Sequence, residues 1–218
     1  MKTVHYAYLH GFASNSNSTK GTHLSRRFST FGETLHLPDL NAPSFENQTP
    51  SSAIESFDSF RRDQDPSERP WSLIGSSLGG FLAALWASHH PRNTHKLVLL
   101  CPGFNLATRW PIRLGSSTMR KWEQSGFLSV TGPDGQPARL HHGFQSDALT
   151  HPGEPEVFCP TLIIHGTRDE IVPIESSRDY ARNRDHVTLL ELEDDHALTR
   201  SLPTIENEVL RFLGFADQ

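Results

Sequence analysis

A stretch of small side chains, Gly-Ser-Ser-Leu-Gly-Gly at positions 75–80, constrains the fold of this chain more than any other feature. The apolar residues 71–74 before it predict a short buried strand, and residues 81–87 after it predict a helix. A sharp strand-to-helix turn that carries a hydroxyl group is the context that a G-x-S-x-G nucleophile elbow requires. A tight turn whose glycines only permit close packing is the competing interpretation, so the rest of the chain must decide between the two.

Ser77 is the candidate nucleophile within this stretch. An elbow holds its nucleophile in a strained backbone conformation, so the positions two before and two after it must carry almost no side chain. Gly75 and Gly79 meet that condition for Ser77. Ser76 would have bulky aliphatic residues at the same positions and is therefore excluded.

Apolar strand-like segments alternate with amphipathic helical segments along the whole chain. Continuous apolar runs such as 96–101 and 161–165 are typical of strands buried on both faces of a parallel sheet. The alternation predicts an α/β fold, with a mostly parallel sheet of about six strands covered by helices on both faces. A length of 218 residues fits a single domain over 1–218.

Residues 104–156 interrupt this alternation. They contain a predicted short helix at 117–124 and two strand-like segments, 127–131 and 138–141, which flank the turn sequence Gly-Pro-Asp-Gly-Gln-Pro. The segment is too short and too poor in aliphatic residues to hold a core of its own. We expect it to form a cap-like excursion above the sheet.

Three residues with the chemistry of nucleophilic catalysis follow predicted strands: Ser77, Asp169 and His196. A serine hydroxyl needs a base within hydrogen-bond reach, and the base needs a carboxylate that orients it. Loops at the carboxyl ends of parallel strands gather at one edge of the sheet, which would bring the three side chains together. Alternatively, Asp169 only caps the next helix and Glu170 is the acid. His196 is one of 13 histidines, so its residue type alone does not single it out as the base. Asp194 and Asp195 are interpreted as solvated loop charges.

An oxyanion formed at Ser77 would need preorganised donors. The N–H of Leu78 is one candidate, because it lies at the predicted start of a helix. The N–H of Phe12 is the second, in the loop after the first strand. His10 and Gly11 in the same loop are candidate substrate-binding residues, although an ordinary turn is the better explanation of these two residues taken alone.

These residues together resemble the α/β-hydrolase superfamily, and more narrowly the small YqiA-type esterases. The resemblance rests on Leu-His-Gly-Phe at 9–12 with Ser18 and Lys20 downstream, on 75–80, on Gly166-x-x-Asp169-Glu170, and on Asp-His-Ala at 195–197. It implies hydrolysis of esters or thioesters through an acyl-enzyme, and a trimmed sheet that begins at the third strand of the full superfamily fold. The substrate would be a small-molecule acyl ester or thioester.

The acyl pocket and the class of function leave alternatives open. Phe12, Phe104 and Trp110 are candidates for an apolar acyl pocket, and packing of the excursion onto the sheet explains them as well. Arginines between 109 and 120 could bind an anionic leaving group, but a solvated helix face is the simpler interpretation. A catalytically silent binding module, a peptidase or a carbon–carbon hydrolase are the alternatives to an esterase.

Composition excludes several other classes of function. The net charge of −5 and the lack of a dense Lys/Arg stripe argue against a nucleic-acid partner. No apolar run approaches the ~20 residues of a membrane span, and with no export signal we expect a cytoplasmic protein. His89, His90, His141, His142 and His151 lack cysteines or carboxylates at ligand spacing, so neither a metal nor a cofactor is expected. Cys101 and Cys159 are predicted to be free thiols, and the oligomeric state is left open.

Overall fold

The computed structural model describes residues 4–65, 67 and 69–215. Its strands are β1 (His5–Leu9), β2 (Leu35–His36), β3 (Trp71–Ser76), β4 (Thr94–Leu100), β5 (Phe127–Thr131), β6 (Pro137–His141), β7 (Thr161–Gly166) and β8 (Val187–Leu192). Its helices are α1 (Thr19–Ser29), α2 (Pro50–Gln64), α3 (Leu78–His89), α4 (Leu106–Leu114), α5 (Ser116–Ser125), α6 (Gly143–Ala148), α7 (Glu175–Arg182) and α8 (Leu202–Leu213).

The central sheet has the order β2-β1-β3-β4-β7-β8, which makes six strands within the described part of the chain. Every neighbouring pair in this sheet runs parallel. The predicted α/β class, the number of strands and the parallel direction are therefore confirmed. All strands end at the same edge, and that edge carries Ser77, Asp169 and His196.

Helices cover both faces of the sheet, as the continuous apolar strands require. One core layer joins α1 and α8 to the sheet through residues such as Phe28 and Val209. The other joins α2, α3, α7 and residues 104–157 to the opposite face, with Trp71 and Trp86 among its largest side chains. Helix α3 is buried almost all round, because it lies between the sheet and this second group of elements.

Residues between β4 and β7 form α4, α5, the antiparallel β5–β6 hairpin and α6. The predicted hairpin and the helix near 117–124 are confirmed. Helix α4 was not predicted, because Pro111 lies inside it. Proline cannot donate a hydrogen bond to the carbonyl of Ala107 four residues earlier. The side-chain amide of Gln145 in α6 donates to that carbonyl instead, at 2.8 Å.

Two further expectations concern the cysteines and membrane spans. Cys101 and Cys159 are buried free thiols, as predicted. Cys101 follows β4 and Cys159 precedes β7, so the neighbouring parallel strands hold them at opposite ends of the sheet. Among the residues described, we find no helix with the length and apolar character needed to cross a bilayer.

Candidate active site

The turn at Ser77 has the strained geometry of an elbow. Strand β3 ends at Ser76, helix α3 begins at Leu78, and Ser77 between them has φ of 53° and ψ of −115°. A positive φ is unfavourable for a residue with a side chain and persists where the surroundings enforce it. A Cβ atom at Gly75 would lie 2.2 Å from the carbonyl oxygen of Gly79. A Cβ atom at Gly79 would lie 2.0 Å from the carbonyl oxygen of Leu9, so both glycines are required by close backbone approach.

Ser77, His196 and Asp169 form a continuous hydrogen-bonded chain. The Oγ of Ser77 lies 2.9 Å from Nε2 of His196, and Nδ1 of His196 lies 2.6 Å from Oδ2 of Asp169. Ser77 and Asp169 follow β3 and β7, and His196 lies in the loop after β8. An imidazole that donates to the carboxylate from Nδ1 presents an unprotonated Nε2 to the serine hydroxyl, which is the tautomer a general base needs.

Asp169 is a buried carboxylate with several donors. Its side chain has no solvent exposure. Oδ1 accepts hydrogen bonds from the backbone N–H groups of Ile171 and Val172, each at 2.8 Å. Burial alone would raise its pKa, but hydrogen bonds from His165, His196 and the Val172 N–H hold the pKa of Asp169 far below its usual range. Asp169 therefore stays ionised, and it also ties its own loop.

The loop that carries His196 is held by two polar contacts. Asp194 is 1% exposed, and its carboxylate accepts the backbone N–H groups of Asp195 and Ser201 at 2.8 Å each. The interpretation of Asp194 as a solvated charge was therefore wrong, whereas Asp195 is exposed. Lys20 donates from Nζ to the carbonyl oxygen of Ala197 at 2.6 Å, next to His196. Neither contact follows a local sequence pattern.

An apolar cleft of about 490 Å³ opens in front of Ser77. Residues between β4 and β7 supply most of its walls, and the loops after β1, β3 and β7 supply the remainder. The apolar lining consists of Phe12, Leu78, Leu106, Trp110, Ile112, Leu114, Leu128, Val130, Phe144, Ile171, Val172 and Pro173. Arg109, Arg113 and Glu170 also line the cleft. Arg109 is not merely a solvated charge, because it donates to the carbonyl oxygens of Phe104 and Ile171 and so joins the two walls.

A second, more polar depression lies beside His196. Its volume is about 640 Å³, and its lining includes Arg168, Glu170, Asp195, His196 and Arg200. Ser77 lines the apolar cleft and His196 lines the polar depression, while Glu170 and Ile171 border both. The reacting centre therefore has an apolar side and a polar side.

The two residues predicted to supply oxyanion donors line the same cleft as Ser77. Phe12 and Leu78 both line the apolar cleft with Ser77. Leu78 is the first residue of α3, so its N–H has no partner within the helix and lies at the positive end of the helix dipole. A Cβ atom at Gly11 would lie 3.3 Å from the carbonyl oxygen of Ser76, so Gly11 packs against the elbow and is absent from the cleft lining.

Two of the predicted substrate-binding residues are instead structural. His10 is 3% exposed; Nδ1 lies 2.9 Å from the carbonyl oxygen of Gly11, and Nε2 accepts the N–H of Leu40 at 2.9 Å. Phe104 is fully buried, with its ring stacked on Tyr180 at 4.3 Å. The assignments of His10 and Phe104 to substrate binding were wrong, because both side chains fill the interior. Trp110, by contrast, lines the cleft.

The described residues include one group with potential metal-ligand atoms within 4.8 Å of one another, Cys101, His165 and Asp169. The carboxylate oxygens of Asp169 and both nitrogens of His165 already have partners, so hydrogen bonding accounts for this group. His151 does face a carboxylate, contrary to expectation, with Nε2 3.4 Å from Asp147. Asp147 also accepts the N–H of Ser51 at the start of α2, so this pair anchors the cap.

Sequence reasoning missed the residues that support the site. His165, Ser177 and Lys20 touch Asp169, His165 and the His196 loop respectively. The spacing of four residues from the strand residue His165 to Asp169 was the available signal. Ser177 and Lys20 come from α7 and α1, and only the folded chain shows their contacts.

Comparisons with known proteins agree with this architecture. The model of the family described as "Uncharacterised protein family (UPF0227)" matches residues 5–214, and the chain belongs to that family. The expected resemblance to α/β-hydrolases of the esterase type is confirmed. The chain is 26% identical over 212 residues to the mouse mitochondrial palmitoyl-protein thioesterase ABHD10, covering 90% of this chain and 70% of that protein.

Solved structures show the same fold. Mouse alpha/beta hydrolase domain-containing protein 10 superposes with a TM-score of 0.77 at 22% identity, covering 99% of this chain and 92% of that one. The monoacylglycerol lipase of Paleococcus ferrophilus gives a TM-score of 0.73 at 18% identity, covering 95% of this chain and 93% of that one. At these identities the likeness establishes the α/β-hydrolase fold.

Proposed function

We propose that this member of the UPF0227 family is a serine hydrolase that cleaves carboxylic ester or thioester bonds, with Ser77 as nucleophile, His196 as general base and Asp169 as its orienting carboxylate. The supporting observation is the hydrogen-bonded chain from Ser77 to Asp169 at the floor of an apolar cleft. The similarity to a protein named as a palmitoyl-protein thioesterase agrees with this chemistry.

The reaction proceeds by acyl transfer to water. His196 takes the proton from Ser77 as Oγ attacks the acyl carbonyl, and Asp169 stabilises the imidazolium that forms. The N–H groups of Leu78 and Phe12 stabilise the oxyanion. His196 then gives its proton to the leaving group, and in the second half-reaction it activates a water molecule that releases the acid.

The apolar cleft and the polar depression would bind different parts of the substrate. An acyl chain gains free energy by leaving water for the apolar cleft, roughly 0.8 kcal/mol for each buried methylene group. The leaving group must lie within reach of Nε2 of His196, on the side of the polar depression. We therefore assign an apolar acyl group to the cleft and a polar leaving group to the depression. Residues 104–156 act as a cap on a single domain, since they supply most of the cleft wall.

A fluorophosphonate probe tests the nucleophile. We expect it to add to wild-type protein and to Ser76→Ala, the matched control, and to leave Ser77→Ala unmodified by intact-mass analysis. Ser77→Ala and His196→Ala should each lower kcat by about 10⁶-fold. Labelling of Ser77→Ala equal to that of wild type, or no labelling of wild type, would refute the assignment.

A substrate panel tests the bond type. The panel consists of p-nitrophenyl esters and acyl-CoA thioesters of graded chain length, with peptide amides as the comparison class. We expect kcat/KM for the esters or thioesters to rise with chain length until the cleft is filled. Turnover of the amides alone would support a peptidase, and turnover of none despite labelling of Ser77 would contradict the esterase proposal.

A further inference from the structure

Asp169 is supported from behind by a second imidazole, His165, which the reaction steps above do not use. His165 is the penultimate residue of β7 and is fully buried. Its Nε2 lies 3.2 Å from Oδ2 of Asp169, the same oxygen that accepts Nδ1–H of His196 at 2.6 Å. Two imidazoles thus converge on one carboxylate oxygen.

The protonation of His165 follows from its neighbours. Nε2 lies 3.0 Å from the carbonyl oxygen of Val172, which can only accept, so Nε2 carries the proton. Nδ1 lies 2.7 Å from Oγ of Ser177, so the second ring nitrogen also has a hydrogen-bond partner. Ser177 is itself fully buried. The hydrogen on Nε2 therefore lies between the carbonyl oxygen of Val172, at 3.0 Å from Nε2, and Oδ2 of Asp169, at 3.2 Å.

We propose that His165 is a positioning residue of this site. Ser177 and the carbonyl of Val172 hold its ring so that Nε2 lies 3.2 Å from the carboxylate of Asp169. His165 keeps Oδ2 of Asp169 oriented towards His196, and it weakens the hydrogen bond between the Asp169 carboxylate and protonated His196. The expected effect on kinetics rests on the proposed function, whereas the contacts of His165 do not depend on it.

A donor at His165 changes the interaction between Asp169 and His196 in a definite direction. A donor to a carboxylate withdraws negative charge from the opposite hydrogen bond, so Asp169 stabilises protonated His196 less when His165 is present. Removing the donor makes protonation of His196 easier. More enzyme is then in the inactive protonated form at neutral pH, and the acidic limb of kcat/KM moves to higher pH.

Other groups near Asp169 belong in this balance. The thiol of Cys101 lies within 4.8 Å, and burial raises its pKa strongly, so it stays protonated. The cations of Lys20 and Arg109 also act on Asp169 electrostatically. Cys101, Lys20 and Arg109 are unchanged in a variant at position 165. A shift in the acidic limb of the kcat/KM profile is therefore assigned to the loss of the His165 donor.

The experiment compares His165→Leu, His165→Gln and Ser177→Ala by the pH dependence of kcat/KM. Leucine removes the donor at similar volume, while the glutamine amide restores an N–H near the position of Nε2. We expect His165→Leu to move the acidic limb up by about one pH unit, which lowers kcat/KM about tenfold below the limb and much less on the alkaline plateau. His165→Gln should return the limb towards wild type, and Ser177→Ala should give a smaller upward shift.

A merely structural role predicts a different result. Poor packing would lower the active fraction by the same factor at every pH, with an unmoved limb, and that result would overturn the proposal. A folded His165→Gln that matches His165→Leu would also overturn it. If His165→Leu does not fold, Ser177→Ala decides: an upward shift supports the proposal and an unmoved limb refutes it.

A second measurement separates this proposal from the proposed function. The low-field proton NMR signal of Nδ1–H of His196 can be titrated without substrate. Its midpoint should rise in His165→Leu and return in His165→Gln. If wild type neither hydrolyses esters nor reacts with the fluorophosphonate, the esterase proposal fails, whereas this titration still decides the role of His165.

Discussion

Replacing Gly79 by alanine should damage both the fold and the nucleophile. The new Cβ would lie 2.0 Å from the carbonyl oxygen of Leu9 and 2.6 Å from that of His10, where ordinary contacts are 3.4–4 Å. The clashing atoms belong to the backbone at the end of β1, so a side-chain rotation cannot relieve them. Overpacking of this kind costs about 3 kcal/mol, at the upper end of the usual range. Alanine recovers about 1 kcal/mol through helix propensity, because Gly79 lies in the first turn of α3.

The net loss is therefore about 2 kcal/mol, which corresponds to a fall in Tm of about 4–8 °C for a chain of this size. The elbow and β1 must also move apart by more than 1 Å to reach an ordinary contact distance, and a displacement of about 1 Å already slows a reaction about 100-fold. Thermal unfolding and the rate of fluorophosphonate labelling measure the two effects.

Gly11→Ala is the matched control on the facing loop. Its Cβ would meet atoms of Ser76 and Ser77 at 3.3 and 3.4 Å, so shifts of a few tenths of an ångström suffice. We expect a Tm within about 4 °C of wild type. If Gly79→Ala melted at or above the wild-type temperature and labelled normally, close backbone approach would not be the reason for glycine at this position.

Further perturbations test other parts of the site. Asp169→Asn should lower kcat by about 10⁴-fold. Asp194→Asn should mainly lower Tm, because the Asp194 carboxylate accepts hydrogen bonds from backbone N–H groups. A large loss of kcat in Asp194→Asn with a normal kcat in Asp169→Asn would contradict the assignment of the acid. The pKa of Asp169 is lower in the folded state than in the unfolded state. The stabilisation that ionised Asp169 provides is therefore complete above the unfolded pKa of about 3.9 and is lost as pH falls through the folded pKa. The free energies of unfolding of wild type and Asp169→Asn, measured with denaturant, should converge in acid. Val130→Trp should fill part of the cleft and lower kcat/KM for long-chain esters about 30-fold, through the loss of two or three methylene sites, with acetate esters unaffected and Val130→Ala as control. Lys20→Met should lower kcat with little change in KM, because it frees the carbonyl of Ala197 beside His196. A raised KM with unchanged kcat would point to a lost substrate contact instead.

The order of elements could be predicted because each strand and helix carries its own apolar pattern. The loops after β3 and β7 follow from the same patterns, and this placed Ser77 and Asp169 at one edge of the sheet. The sequence did not predict features that depend on a hydrogen bond from an element distant in the chain. Helix α4 is an example: Pro111 cannot donate to the carbonyl of Ala107, and the side-chain amide of Gln145, from a different helix, donates to that carbonyl instead.

Burial of polar residues was the other source of error. His10 and Asp194 look like loop residues available to solvent or substrate, yet each is buried and bound to backbone N–H groups. Buried polar side chains need such partners, and the partners of His10 lie as far as 30 residues away. Phe104 failed for a related reason, because its stacking partner Tyr180 belongs to α7.

The proposed catalytic residues and the residues proposed to select the acyl group lie on different parts of this molecule. Ser77, Asp169 and His196 are held by strand ends and by the glycines that allow close backbone approach, so they depend on the sheet. Most of the cleft wall comes from the cap between β4 and β7, whose hairpin and helices pack above the sheet. Changes on the cap should therefore alter chain-length preference without altering the pH dependence set by Asp169 and His165. Changes behind Asp169 should do the reverse, and that separation follows from the two sets of contacts having few residues in common.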